Sequence, residues 1–184
     1  LSSKKDQFIV KDYSLPVDVP STLFINMKCY EDSQYTLPVF DTMVETLVSI
    51  SQFLLENERV HSIAYYSGRT SSFKEAVITD TEALAAAVKD LILSISDDLT
   101  CEDPQLYFDE HPNLALSSLT FITQKPGDSI LSYIDENVDA DIKNAVVVVN
   151  TPDDAAAFPD VYPEMRIMPV VIGRISSSIK DIEL

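Results

Sequence analysis

Five consecutive residues, Ala145-Val146-Val147-Val148-Val149, restrict the fold of this 184-residue chain more than any other segment. Valine is stiff at its first side-chain torsion and packs well on a pleated surface, so four in a row favour an extended backbone. Successive strand residues point to opposite faces, and an unbroken apolar run is therefore buried on both. Such a strand belongs inside a sheet that carries helices on each side. Parallel strands joined by crossover helices supply that arrangement, and the elements around the run agree with it.

Thr22 to Lys28 reads as the first central strand. A helix from about Pro38 to Glu56 follows, with Phe40, Met43, Val44, Leu47, Ile50, Leu54 and Leu55 at three- and four-residue steps. Pro38 suits its first turn, and Asp41 and Glu45 favour its positive end. Val60 to Tyr66 is the second strand, and Phe73 to Ile78 follows a short turn at Gly68. That connection is shorter than the roughly twelve residues of a parallel crossover, so the third strand is expected antiparallel at the sheet edge.

Thr79-x-x-Glu82 has the form of a capping box. It opens a helix with Leu84, Ala87, Val88, Leu91, Ile92 and Ile95 on one stripe, which reads as core. Asp103-Pro104 starts a short helix that ends before His111-Pro112. Leu119 to Thr123 is the next strand, and Asp128 caps a helix carrying Ile130, Leu131, Ile134 and Val138. Thr151 to Met165 leaves room for a short helix at most before the last strand, Arg166 to Ile172. Phe8-Ile9-Val10 reads as a small leading strand, and the tail from Ile175 stays open between helix and extended chain. Residues 1–19 are thus a leading extension from a preceding region, and 20–184 one α/β domain.

Composition narrows the function. Only Gly68, Gly127 and Gly173 occur, far apart, so no dinucleotide fingerprint, phosphate loop or Gly-x-Ser-x-Gly elbow can be written. A net charge of −17 disfavours nucleic acid and anionic lipid surfaces, both of which attract Lys and Arg. Acidic runs such as Asp97-Asp98, Glu102-Asp103 and Asp153-Asp154 read as solvated loops and helix ends. Cys29 and Cys101 form neither a disulfide framework nor a zinc pattern, which suits a reducing compartment. No apolar run approaches the ~18 residues of a membrane span, and no signal peptide is visible. The chain begins at Leu1 and reads as a piece of a longer protein, with any anchoring segment outside it.

The carboxyl ends of the parallel strands are where open α/β sheets bind ligands. The first strand ends there in Asn26-x-Lys28-x-Tyr30, followed by Asp32. Cys29, also at this end, reads as a packed, inert thiol. His61 falls at the opposite end of its strand, His111 precedes a proline, and neither has a triad partner. Tyr65-Tyr66 could anchor a partner through an aromatic ring.

The order of elements, with one antiparallel edge strand after two parallel ones, resembles the von Willebrand factor A-like fold. The run Lys4-Lys5-Asp6-Gln7-Phe8-Ile9-Val10-Lys11-Asp12-Tyr13 resembles one that precedes such a region in the bacterial family called domain of unknown function 58. The resemblance implies a three-layer, doubly wound sheet of six strands in the order 3-2-1-4-5-6. It also implies a membrane-associated parent protein, with this domain on the cytoplasmic side, and a MoxR-type ATPase as a possible partner.

In that fold the first strand normally ends in Asp-x-Ser-x-Ser, whose oxygens hold a divalent cation. Here Asn26 offers one neutral oxygen, Lys28 repels a cation, and Tyr30 is too long for a serine's place. The later threonine falls on Thr79 or Thr81, and the closing acid falls near Gln124, which carries no carboxylate. Lys28 is expected to occupy the cation position and pair with a carboxylate such as Asp32.

The expected function is therefore a non-catalytic protein-interaction module with a degenerate metal site and no cofactor. Its partner-binding residues would be Asn26, Lys28, Tyr30, Asp32, Thr79 and Gln124. Two alternatives stand beside it. One is a Mg²⁺-dependent ligand site built from Asn26, Thr79 or Thr81 with Asp32 or Asp128. The other is a hydrolase or transferase using Cys29 or a serine.

Overall fold

A computed structural model describes residues 20–29, 34–95, 101–124, 128–156 and 162–173. The valine run lies in β5 (Ala140–Val149), which is buried from Lys143 to its end and sits between two parallel neighbours, β4 (Leu116–Gln124) and β6 (Met165–Val171). On the other side of β4 come β1 (Ser21–Asn26), β2 (His61–Ser67) and β3 (Ser72–Ile78). The described residues form one six-stranded sheet in the order β3-β2-β1-β4-β5-β6. Every adjacent pair is parallel except β2 and β3, so the short Gly68 turn did reverse the chain at the edge.

Among the described residues five helices connect the strands: α1 (Thr36–Glu56), α2 (Thr81–Ser94), α3 (Pro104–Glu110), α4 (Asp128–Asn137) and α5 (Pro152–Ala156). Alternate strand residues divide between two apolar clusters. Leu23, Ile25, Ile63, Tyr65, Ile122, Val146 and Val148 pack with Met43, Leu47 and Ile50 of α1 and Leu84 and Leu91 of α2. Phe24, Ala64, Leu119, Phe121 and Ala145 pack instead with Tyr107 and Phe108 of α3 and Ile130, Leu131 and Ile134 of α4. The Phe24 ring is the centre of the second cluster, 5.1 Å from Tyr107 and 5.4 Å from Phe121 between centroids. Each such large apolar side chain stabilises the fold by ~1.5–3 kcal/mol on full burial.

Several boundaries differ from the sequence reading, each for a local reason. The cap of α2 is Asp80, not Thr79: its Oδ1 accepts from the Ala83 amide at 2.8 Å, while Thr79 Oγ1 donates to Asp80 Oδ2 at 3.3 Å. A carboxylate is a stronger acceptor than a hydroxyl for an orphan amide, and it also complements the positive helix end. Helix α1 begins two residues before Pro38, which places Asp41 and Glu45 beyond its first turn. Proline is tolerated there because the first turn has no intrahelical acceptor for its amide anyway.

β5 starts at Ala140 because polar residues stay extended in register with Leu116 to Thr120. Lys143 breaks the apolar pattern yet is buried. Its Nζ donates to the Asp135 carbonyl at 2.7 Å and to Glu164 Oε2 at 3.0 Å, while Asp135 Oδ1 accepts from the Glu164 amide at 3.0 Å. The expected leading strand at Phe8 and the tail from Ile175 lie outside the described residues.

Candidate functional site

The carboxyl end of β1 is held by amide side chains. Asn26 is 2% exposed and in register with Thr123 of β4. Its Nδ2 donates to Thr123 Oγ1 at 3.1 Å, and its Oδ1 accepts from the Lys28 amide at 3.1 Å. A short side chain that turns back on the backbone two residues ahead ends a strand sharply. From β4, Gln124 Nε2 donates to the Lys28 carbonyl at 2.6 Å, and Thr123 Oγ1 donates to the Gln124 carbonyl at 2.9 Å. Both backbone groups of Lys28 are therefore gripped, one by each strand.

This clamp aims the Lys28 side chain at the connection into α3. Its Nζ lies 3.2 Å from Asp103 Oδ2, with the two side chains 31% and 53% exposed. The other Asp103 oxygen caps α3 by accepting from the Gln105 amide at 3.1 Å. One carboxylate thus ties an ammonium and a helix end together. Half-exposed pairs of this kind contribute ~0.2–1 kcal/mol, so the clamp stabilises this end more than the ion pair does.

Cys101 is not set up as a nucleophile. Burial pushes the Cys101 thiol up to about 11, only partly offset by Lys28, so it is protonated at neutral pH. Cys29 is half-buried against the cluster that includes α1.

Of the residues singled out from the sequence, Asn26, Lys28 and Gln124 come together. Tyr30 and Asp32 lie outside the described residues, as does the side chain of Asp128. Thr79 and Thr81 must be withdrawn from this site. β3 runs antiparallel, with Ile78 beside His61 and His61 beside Ser21, so the chain is back at the amino end of the sheet when it reaches Thr79. Asp103 and Thr123 were missed. The helix-start pattern Asp103-Pro104 accounted for the carboxylate, and only the β1–β4 register brings Thr123 beside Asn26.

The other polar groups serve the fold. His61, 2% exposed, has Nε2 2.7 Å from Ser51 Oγ and Nδ1 3.1 Å from the Arg59 carbonyl. A carbonyl only accepts, so Nδ1 carries the proton and Nε2 accepts from the serine. Burial lowers the imidazole's affinity for a second proton. The pair has the spacing of a nucleophile and its base. Both side chains are sealed from solvent, however, and the far ring nitrogen meets a carbonyl rather than a carboxylate. His111 Nδ1 donates to the Tyr107 carbonyl at 2.7 Å. Tyr65 is a structural tie: its hydroxyl donates at 2.5 Å to Asp90, which also accepts from Lys74 at 2.8 Å, joining α2 to β2 and β3.

Among the described residues no three His, Cys, Asp or Glu side chains converge as a metal cage would require, and no helix is long and apolar enough to cross a membrane. The donors at the end of β1 do not fit a hard divalent cation. Among the described residues the side-chain amides of Asn26 and Gln124 are engaged with the Lys28 backbone, the Asn26 oxygen accepting from its amide, and an ammonium stands two residues on from Asn26. Compared with known proteins, the chain matches no family model and no curated sequence.

Proposed function

We propose that this chain is a non-catalytic protein-interaction module, a three-layer, doubly wound domain of the von Willebrand A-like type. In this reading it belongs to the family called domain of unknown function 58 and comes from a membrane-associated parent, on the cytoplasmic side. The strand order with its antiparallel edge supports the fold, and the run from Lys4 to Tyr13 supports the family. The observation that carries the functional reading is the clamped Lys28. Asn26 and Gln124 hold its backbone, and its ammonium faces Asp103 where a domain of this type would hold a cation. A tethered positive charge does the electrostatic work of the ion without its exchangeable coordination sites. The face can then dock a partner but cannot polarise a substrate as a Lewis acid does.

A MoxR-type ATPase is the proposed partner. The test is binding of the purified chain to such an ATPase from the same genome, followed by biosensor interferometry. Lys28→Glu and Gln124→Ala should each weaken the complex tenfold or more while leaving the circular dichroism spectrum intact. Equal binding by both variants removes the proposed face. A saturable rise in melting temperature of the native chain with millimolar Mg²⁺ removes the degenerate-site reading, because a ligand that binds only the folded state stabilises it.

A further inference from the structure

α1 and α2 run antiparallel on the same side of the sheet, because β3 has already returned the chain to the amino end before α2 begins. Their inner faces supply Leu47, Ile50, Leu84 and Leu91 to the core. Between their outer faces lies an open groove of about 500 Å³. Val48 and Gln52 line it from α1, and Ala85, Val88, Ile92 and Leu93 line it from α2. Ile92 and Leu93 are 53% and 51% exposed, which solvent alone does not reward in a helix. The steps from Ala85 to Val88 and Ile92 form a ridge of the kind that a third helix packs against.

The charges around the groove are unevenly placed. At the end holding Thr81 stand Glu56 and Glu58 at the close of α1 and Asp80 and Glu82 at the opening of α2, with Arg59 the one base in those segments. The carbonyls that end α1 and the amides that open α2 carry opposite partial charges there and offset each other, so the carboxylates set the sign. At the other end Lys89 lines the groove and Arg69 donates to the Leu93 carbonyl at 3.3 Å, against Asp41 and Glu45 in the opening half of α1, so the two ends differ in balance of charge. A second copy of this chain, at net −17, would bring like charge onto an acidic rim. We infer that the groove between α1 and α2 is a docking site for an amphipathic helix of another protein, with basic residues at the end that lies over Glu56 and Glu82. None of the residues lining this groove belongs to the Lys28 clamp, and the inference does not depend on the reading given to that clamp.

The test uses the intact, isotope-labelled chain and two synthetic 14-residue helices with leucines at the same i, i+3, i+4 and i+7 positions. One carries lysines elsewhere, the other glutamates. The Leu/Lys helix should shift the amides around Val48 and Val88 with saturable, micromolar affinity, and the Leu/Glu helix should not. Ile92→Glu and Ala85→Gln should each weaken the Leu/Lys helix tenfold or more. Two variants keep the result decisive if one perturbs folding. Equal binding by both variants means general attraction to an acidic protein and overturns the proposal, as do shifts confined to Lys28 and its neighbours. Self-association of the native chain abolished by Ile92→Glu would assign the groove to a second copy. Binding of a peptide copying residues 4–15, with none of the Leu/Lys helix, would assign it to the chain's own leading extension.

Discussion

Protonation of His61 should make the fold labile in mild acid. The ring is neutral in the folded state because burial outweighs the Arg59 carbonyl bond that favours the charged form. Its folded pKa therefore lies below the ordinary imidazole value. Above that value neither folded nor unfolded chain carries the proton, and the residue adds no pH dependence. As pH falls through it, the unfolded chain binds a proton that the folded chain refuses, so stability drops. The drop ends once pH passes below the folded pKa. For a single proton the slope cannot exceed ~1.4 kcal/mol per pH unit, which caps the loss at about 1.4 kcal/mol one unit below the ordinary value. Two carboxylates are moved away from this window. Asp90, held down by Lys74 and Tyr65, and Asp80, held down by the Ala83 amide, titrate below the usual carboxylate range. Urea unfolding at pH 7.5 and pH 5.5 should show a smaller difference for His61→Gln than for the native chain. If His61→Gln keeps the whole pH dependence, the buried neutral imidazole is not its source.

Three further outcomes follow from the carboxyl end of the sheet. Asn26→Ala or Gln124→Ala should each cost ~1–3 kcal/mol in denaturant melts, by leaving buried partners unmatched. The double variant should cost less than the sum, because the two side chains hold one segment. Cys101, with its thiol pushed up to about 11, should react with iodoacetamide at pH 8 on the order of 100-fold more slowly than a free thiol near 8.5. A rate equal to that of a free cysteine would show the thiol is not buried in solution. Asn26→Asp, Lys28→Ser and Tyr30→Ser together should give the chain a saturable rise in melting temperature with millimolar Mg²⁺, because they supply the oxygen donors that a hard cation takes. No rise would mean that the rest of the pocket is also lost.

Much of the architecture was legible because it depends on periodicity. The valine run placed β5 in the interior, the three- and four-residue steps placed α1 and α2, and the short Gly68 turn required the antiparallel edge. What escaped were choices between chemically similar neighbours. Asp80 outcompetes Thr79 for the helix cap by charge, which the Thr79-x-x-Glu82 spacing concealed by offering a complete capping box one residue earlier. Lys143 lay outside the strand read from the valine run because its partners, the Asp135 carbonyl and Glu164, come from segments on either side of it in the chain. The site was half visible for the same reason. Asn26 and Lys28 are local to one strand end, but Asp103 enters only when the start of α3 is brought beside it. Thr79 follows the reversed edge strand, so the same turn at Gly68 that makes β3 antiparallel carries it to the amino end of the sheet, away from Asn26.

A tethered ammonium and a bound metal differ in how they answer to solution conditions, and that difference separates the two accounts of the Lys28 face. A metal site is emptied by a chelator, whereas an ion pair is weakened by salt. The pair of Lys28 and Asp103 is half-exposed, and ionic strength screens exposed charges over ~8 Å at physiological salt. On the proposed reading, the complex with the ATPase should survive millimolar EDTA unchanged. It should weaken as sodium chloride rises from 50 to 500 mM, and Lys28→Met should flatten that dependence. The measurement is the dissociation constant of the native chain and Lys28→Met across the salt series, with and without chelator. Loss of the native complex in EDTA would place an ion at the interface. An identical salt slope in the two proteins would mean that Lys28 is not the charge the partner reads.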